Sequence, residues 1–187
     1  MEGRLNAMST PSLLGLCGAL RKASTNRLLL GEAVRAFGPA RYAEGNLRLP
    51  LFDEDIEIAK GIPAAVTRLA ERIKAADAVI IACPEYNKSL TGVLKNALDW
   101  VSRTKGNPWR DKPVAIIGAA DGRAGGDRAQ FALRLAMVPF RARVLPGPEV
   151  MVAHSREAFD TEGRLKEASY VRTLTDLMAQ LRAEATR

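Results

Sequence analysis

The chain has 187 residues, 47% of them hydrophobic, enough for one compact domain with a sizeable core and too few for two ordinary ones. Its 28 basic and 21 acidic side chains give a net charge of +7. They are scattered, without a lysine run, zinc-finger spacing or an aromatic-interleaved basic strand, so the charge points to anionic small molecules and no nucleic acid partner is expected. The longest apolar runs, Ala78 to Cys83 and Val114 to Ala120, fall far short of the roughly 20 residues that span a bilayer, so no membrane partner is expected either.

The opening residues MEGRLNAMST lack the apolar centre of a secretory signal. Residues 1–11 are therefore expected to be a flexible tail, residues 12–187 a single domain, and the location cytoplasmic. Ser12 to Cys17 (SLLGLC) reads as a buried strand ending at Gly18. Asn26 to Phe37 then carries Leu29, Leu30, Val34 and Phe37 at helical spacing, with Gly38 and Pro39 as the stop. A weak second strand is expected within Arg41 to Leu49, and LPLFDEDIE follows as an acidic loop. Pro63 opens a helix whose apolar face is Val66, Leu69, Ala70 and Ile73.

Asp77 leads into AVIIAC, a continuous branched run of the kind buried on both faces of a parallel sheet. Leu90, Val93, Leu94, Ala97, Leu98 and Val101 mark the next helix, and PVAIIGAA is the fourth strand. After a glycine-rich loop, Arg128 to Met137 forms a helix, RARVLPGPEVMV supplies a fifth strand interrupted by proline, and Glu167 to Leu181 closes the chain as an amphipathic helix. Five strands alternating with five helices specify an open α/β sheet covered on both faces. Cys17 and Cys83, at strand ends with no neighbouring Cys or His, read as free buried thiols and not as metal ligands.

In such a sheet, ligands bind beyond the carboxyl ends of the strands. Three loops leave those ends. The first holds Arg21, Lys22, Ser24, Thr25 and Asn26 ahead of a helix whose first N–H groups and dipole favour an anion; a phosphate cradle and a plain helix cap both satisfy this pattern. The second, Pro84, Glu85, Tyr86, Asn87, Lys88 and Ser89, offers an aromatic ring, an amide and backbone groups to a flat heteroaromatic ligand, while Asn87 and Ser89 also suit a helix cap. In the third, Gly122, Gly125 and Gly126 allow close backbone approach or a simple flexible turn. Neither G-x-x-x-x-G-K-[ST] nor G-x-G-x-x-G is present.

Taken together, the loops resemble those of the NADPH-dependent FMN reductase family over roughly Ser12 to Leu181. The family's first-loop pattern, G-S-x-R-x-x-S-x-N, is met at Gly18, Arg21, Ser24 and Asn26, with Ala19 in place of the usual serine. The PEYN of Pro84 to Asn87, followed by Gly92, Leu94, Lys95, Asn96, Ala97, Asp99 and Trp100, is the more specific match. Gly125, Gly126, Arg128, Ala129 and Gln130 are family-like as well.

The resemblance implies a flavodoxin-like three-layer sandwich with a five-stranded parallel sheet in the order 2-1-3-4-5. It implies bound FMN, with Gly18, Ala19, Arg21, Ser24, Thr25 and Asn26 at the phosphate and Pro84 to Ser89 along the isoalloxazine ring. Ala119, Ala120, Asp121 and Gly122 would approach the pyrimidine side through backbone groups, with Ala120 where serine is common. It also implies NADPH or NADH as co-substrate, a small-molecule electron acceptor (a quinone, azo compound, metal oxyanion or free flavin) and a homodimer or homotetramer. No Ser, His, Asp triad is arguable around the single histidine, His154, and none is needed where the cofactor carries the chemistry. A flavodoxin-type electron carrier without NADPH turnover is the competing expectation.

Overall fold

The computed structural model describes residues 10–187. Most of the expected tail lies outside the described residues. Within them Pro11 is buried, and its carbonyl accepts from the Arg41 N–H at 2.9 Å. The elements are β1 (Ser12–Cys17), α1 (Thr25–Phe37), β2 (Arg41–Gly45), α2 (Glu54–Lys60), α3 (Ala64–Ala75), β3 (Ala78–Ala82), α4 (Gly92–Ser102), β4 (Pro113–Ala119), α5 (Asp127–Met137), a 3-10 turn (Val138–Phe140), β5 (Arg143–Val144), β6 (Val150–Val152) and α6 (Ala168–Ala185).

All strand pairs are parallel, in the expected order β2-β1-β3-β4-β5, with β6 also paired to β4. Successive side chains of the central strands turn to opposite faces, as the two-residue repeat requires. Leu13, Ile80 and Ile117 therefore join one core with Leu29, Phe37, Leu177 and Met178 from α1 and α6. Leu14, Ile81 and Ile116 join the other with Leu69, Ile73, Leu98 and Leu133 from α3, α4 and α5.

Two expectations are corrected. The acidic segment is not all loop, because Glu54–Lys60 forms a helix. It has no buried residue and so no apolar face to detect; Asp53 caps it by accepting from Asp55 N and Ile56 N, and three acidic side chains stand in its first turn, where the helix dipole favours them. The fifth strand is two pieces on the same flank of β4. β5 pairs with Pro113 and Val114, and β6 with Ile117 to Ala119. Pro146 and Pro148 between them have no N–H to give the ladder, so the chain leaves the sheet and returns at Val150.

After β6 the chain crosses back towards α6 and is pinned to α1 by Glu32. That carboxylate accepts from Leu165 N at 3.0 Å, Arg164 Nε at 2.9 Å and Arg35 Nε at 2.6 Å. Burial pushes its pKa up, but these donors outweigh the burial and hold it below the ordinary 4.5.

Candidate functional site

Because β1, β3 and β4 are neighbours running the same way, the loops Gly18–Asn26, Pro84–Ser89 and Ala119–Gly126 emerge side by side at one end of the sheet. Three side chains lock them together. Thr91 Oγ1 donates to Gly18 O at 2.9 Å, joining the first loop to the second. Asn26 Nδ2 donates to Ala119 O at 2.7 Å while its Oδ1 accepts from Ala119 N at 3.0 Å, joining the first to the third. Glu85 Oε2 accepts from Ala129 N at 3.4 Å, so the second loop supplies the cap that Gly126 cannot give to α5.

In the first loop Ser24 is the N-cap of α1, its Oγ accepting from Asn26 N at 3.3 Å. Thr25 is half-buried at the first helical position. Arg21 and Lys22 are exposed, with no side-chain partner among the described residues. The first loop thus carries a helix N-terminus, a guanidinium without a side-chain partner among the described residues and two hydroxyls, which is the donor set a phosphomonoester needs. Asn26 is buried and its amide both donates to and accepts from Ala119, so it ties the start of α1 to the end of β4. Ala19 is only 2% exposed and its methyl packs in the α1 core cluster. A Cβ at Gly18 would lie 2.5 Å from Leu94 and 2.9 Å from Pro84, so glycine is what lets the first loop lie against the second.

The second loop is a two-residue hairpin. Tyr86 and Ser89 exchange N–H to carbonyl bonds at 3.1 and 3.2 Å, and both central residues, Asn87 (φ 51°) and Lys88 (φ 64°), are left-handed. Asn87 and Lys88 form its exposed tip, and the Tyr86 ring stands 53% exposed. Neither Asn87 nor Ser89 caps α4; Thr91 does, accepting from Leu94 N at 3.4 Å.

In the third loop the backbone groups of Ala119 are taken by Asn26, and those of Ala120 by Val152 O and Ser155 N. Asp121 and Gly122 keep N–H groups with no partner among the described residues, so they are the donors this loop has left for a ligand edge. Gly125 has φ +62°, and a Cβ there would be 2.5 Å from the Met151 carbonyl, a close approach that sets the loop against β6.

Sequence reading missed Ser155. It is 5% exposed, its N–H donates to Ala120 O at 3.2 Å, and its hydroxyl meets Thr25 Oγ1 at 3.2 Å. It lies beside Thr25 because β6 delivers it to the same sheet end, a position hidden while the outer strand reads as one piece. A cavity of about 400 Å³ lined by Ala153, His154, Glu157 and Tyr170 lies beyond β6 and shares no lining residue with the three loops.

The two strand-end thiols are buried and free. Burial raises the Cys17 pKa and pushes that of Cys83 up to about 12, so neither is a nucleophile for this site.

Residues 11–157 match the sequence profile of the NADPH-dependent FMN reductases. The chain is 46% identical over 155 residues to an NAD(P)H-dependent FMN reductase of Pseudomonas aeruginosa, covering 82% of this chain and 83% of that one. It is 41% identical over 140 residues to a quinone reductase of Escherichia coli K12, covering 73% and 74%. Among solved structures, the flavoenzyme NAD(P)H:(acceptor) oxidoreductase FerB of Paracoccus denitrificans superposes with a TM-score of 0.84 at 28% identity, covering 94% of this chain and 97% of that one. With matches this long, and with the three loops assembled at one sheet end, the chain belongs to the NADPH-dependent FMN reductase family.

Proposed function

We propose that this FMN-dependent NAD(P)H oxidoreductase passes two electrons from NADPH to a quinone, with azo compounds, metal oxyanions and free flavin as further acceptors. The observation that carries the reading is the convergence of the three loops, cross-tied by Thr91, Asn26 and Glu85. Arg21, Ser24, Thr25 and the α1 N-terminus would hold the FMN phosphate, with Gly18 and Ala19 shaping the turn and Asn26 and Ser155 bracing it. The Pro84 to Ser89 segment, through Glu85, Tyr86, Asn87 and Lys88, would wall the ring, and Asp121 and Gly122 N–H groups would face its pyrimidine edge beside Ala119 and Ala120.

When bound, FMN supplies hydride acceptance and return at its ring. The protein's part is to orient and to polarise. The N–H groups of the third loop favour negative charge on the ring edge they face, and the basic surface draws in the nucleotide phosphates. The balance is NADPH plus a proton plus quinone giving NADP⁺ plus hydroquinone, the proton coming from water at the open face.

Relatives named quinone reductase support the choice of acceptor. Phe131, Leu135 and Val138, exposed along one side of α5 and its 3-10 extension, support a homodimer or homotetramer. Free buried thiols support a reducing, cytoplasmic location. The test is the visible spectrum of the purified protein. Flavin absorbance bleached by NADPH and restored by benzoquinone is the expected result; a flavin that NADPH leaves oxidised would mark an electron carrier, and a colourless protein that takes up no FMN would sink the reading.

A further inference from the structure

Two adjoining cavities open at the β2 edge of the same sheet end, with Asn46 lining both. The first, about 240 Å³, has Leu20 and Arg27 from the phosphate-loop side and Glu44, Asn46 and Arg48 from the β2 side. Its Glu44 carboxylate is neutralised by Arg27. The second, about 180 Å³, is lined by Asn46, Ala65, Arg68, Leu69 and Arg72, with no carboxylate in its wall.

Arg48 and Arg72 are held without counter-charge. Arg48 Nη2 donates to Leu20 O at 2.9 Å and Arg72 Nη1 donates to Glu44 O at 2.9 Å, which fixes each fork while leaving its other N–H groups open. No carboxylate among the described residues comes within ion-pair distance of Arg48, Arg68 or Arg72. Ala65 brings the first turn of α3 to the same wall, and that helix has no side-chain cap; Val66 N–H is taken by Pro63 O, but those of Ala64 and Ala65 have no partner among the described residues. Guanidinium forks, an amide and two free helix N–H groups around a small volume match a dianionic phosphomonoester, whose three oxygens take charge-assisted bonds from them, whereas a neutral hydroxyl in its place takes fewer and weaker ones.

β2 and β3 are separated only by β1, so their axes lie about 10 Å, two strand spacings, apart, and the cavities sit on the outer side of β2. A bent dinucleotide with its nicotinamide on the ring spans that distance. We infer that the Arg68–Arg72 cavity receives the 2′-phosphate of NADPH, with Arg48 and Asn46 beside the adenosine, and that these residues make the enzyme prefer NADPH over NADH. The inference rests on the function proposed above, and names the residues that choose between the two nucleotides.

The test uses the FMN-loaded enzyme, with kcat/KM measured for NADPH and NADH in the wild type, Arg68→Ala and Arg72→Ala. Wild type prefers NADPH at least tenfold. Each variant loses about 10- to 100-fold in kcat/KM for NADPH, through KM, while NADH changes less than twofold. Adenosine 2′,5′-bisphosphate competes with NADPH and weakens in parallel, whereas 5′-AMP does not. The exposed side chain of Arg68 makes no hydrogen bond or ion pair among the described residues, so its variant keeps the wild-type melting temperature and separates recognition from folding.

Absence of nucleotide preference in the wild type, equal losses for both nucleotides, or no loss for either would overturn the inference while leaving the reductase reading intact. A protein without flavin, or one that oxidises neither nucleotide, would overturn the reductase reading and this inference with it.

Discussion

Asn26 offers a direct measurement of how the site is held. The sequence pattern places it among phosphate ligands, yet its buried amide donates to and accepts from Ala119, which is itself 3% exposed. Asn26→Ala leaves both Ala119 backbone groups buried and unpaired, at about 1–3 kcal/mol each, so the flavin-free protein should lose roughly 2–6 kcal/mol. For a chain of this length that corresponds to about 4–24 °C in Tm. Urea unfolding of the flavin-stripped protein at pH 7, with a melt alongside, reads the loss, and FMN titration reads the weakening that follows from the loosened cradle. Asn26→Asp keeps the acceptor but sets a charged oxygen against Ala119 O, so it should be no better tolerated. A stability within about 0.5 kcal/mol of wild type, the limit expected of harmless surface changes, combined with lost FMN affinity would refute the clamp and put the amide on the phosphate.

Three further outcomes are expected. Glu32 titrates below its ordinary 4.5 in the folded state, so its stabilisation is present above that value and is lost as pH falls through the folded pKa; Glu32→Gln should be less stable at pH 7 and show a shallower acid limb, and superimposable acid limbs would contradict the ion cluster. Gly125→Ala combines a left-handed residue with a Cβ 2.5 Å from the Met151 carbonyl, a cost of about 2–5 kcal/mol together with weaker FMN binding; a variant within about 1 kcal/mol of wild type would show that the loop relaxes freely. Cys17 and Cys83 should resist a disulfide reagent at pH 8 until urea unfolds the chain, and rapid labelling of the native protein would show that burial does not govern them.

The central fold is legible because β3 and β4 are buried on both faces and their branched runs have no competing reading. α1 and α3 are legible for the opposite reason, one apolar stripe each. α2 is not, since a helix with no buried residue leaves only cap chemistry, Asp53 at its start and Gly61 at its end, to announce it. The three loops can be placed from sequence because parallel strands deliver them to one end. What they do to each other cannot be, as the contacts Asn26–Ala119, Glu85–Ala129 and Thr25–Ser155 join residues 44 to 130 positions apart. Arg68 and Arg72 look like an ordinary solvated helix face until the sheet order brings Asn46 and Arg48 beside them.

The Tyr86–Ser89 hairpin bears on turnover. Were it to wall the ring as proposed, its backbone bonds, already closed on themselves, would leave no loop to order, so neither departure of the oxidised nucleotide nor entry of the acceptor should wait on its folding. Both substrates would then visit one open face in turn. Initial-rate plots at several fixed acceptor concentrations should be parallel lines, and each substrate in excess should inhibit by occupying the face the other needs.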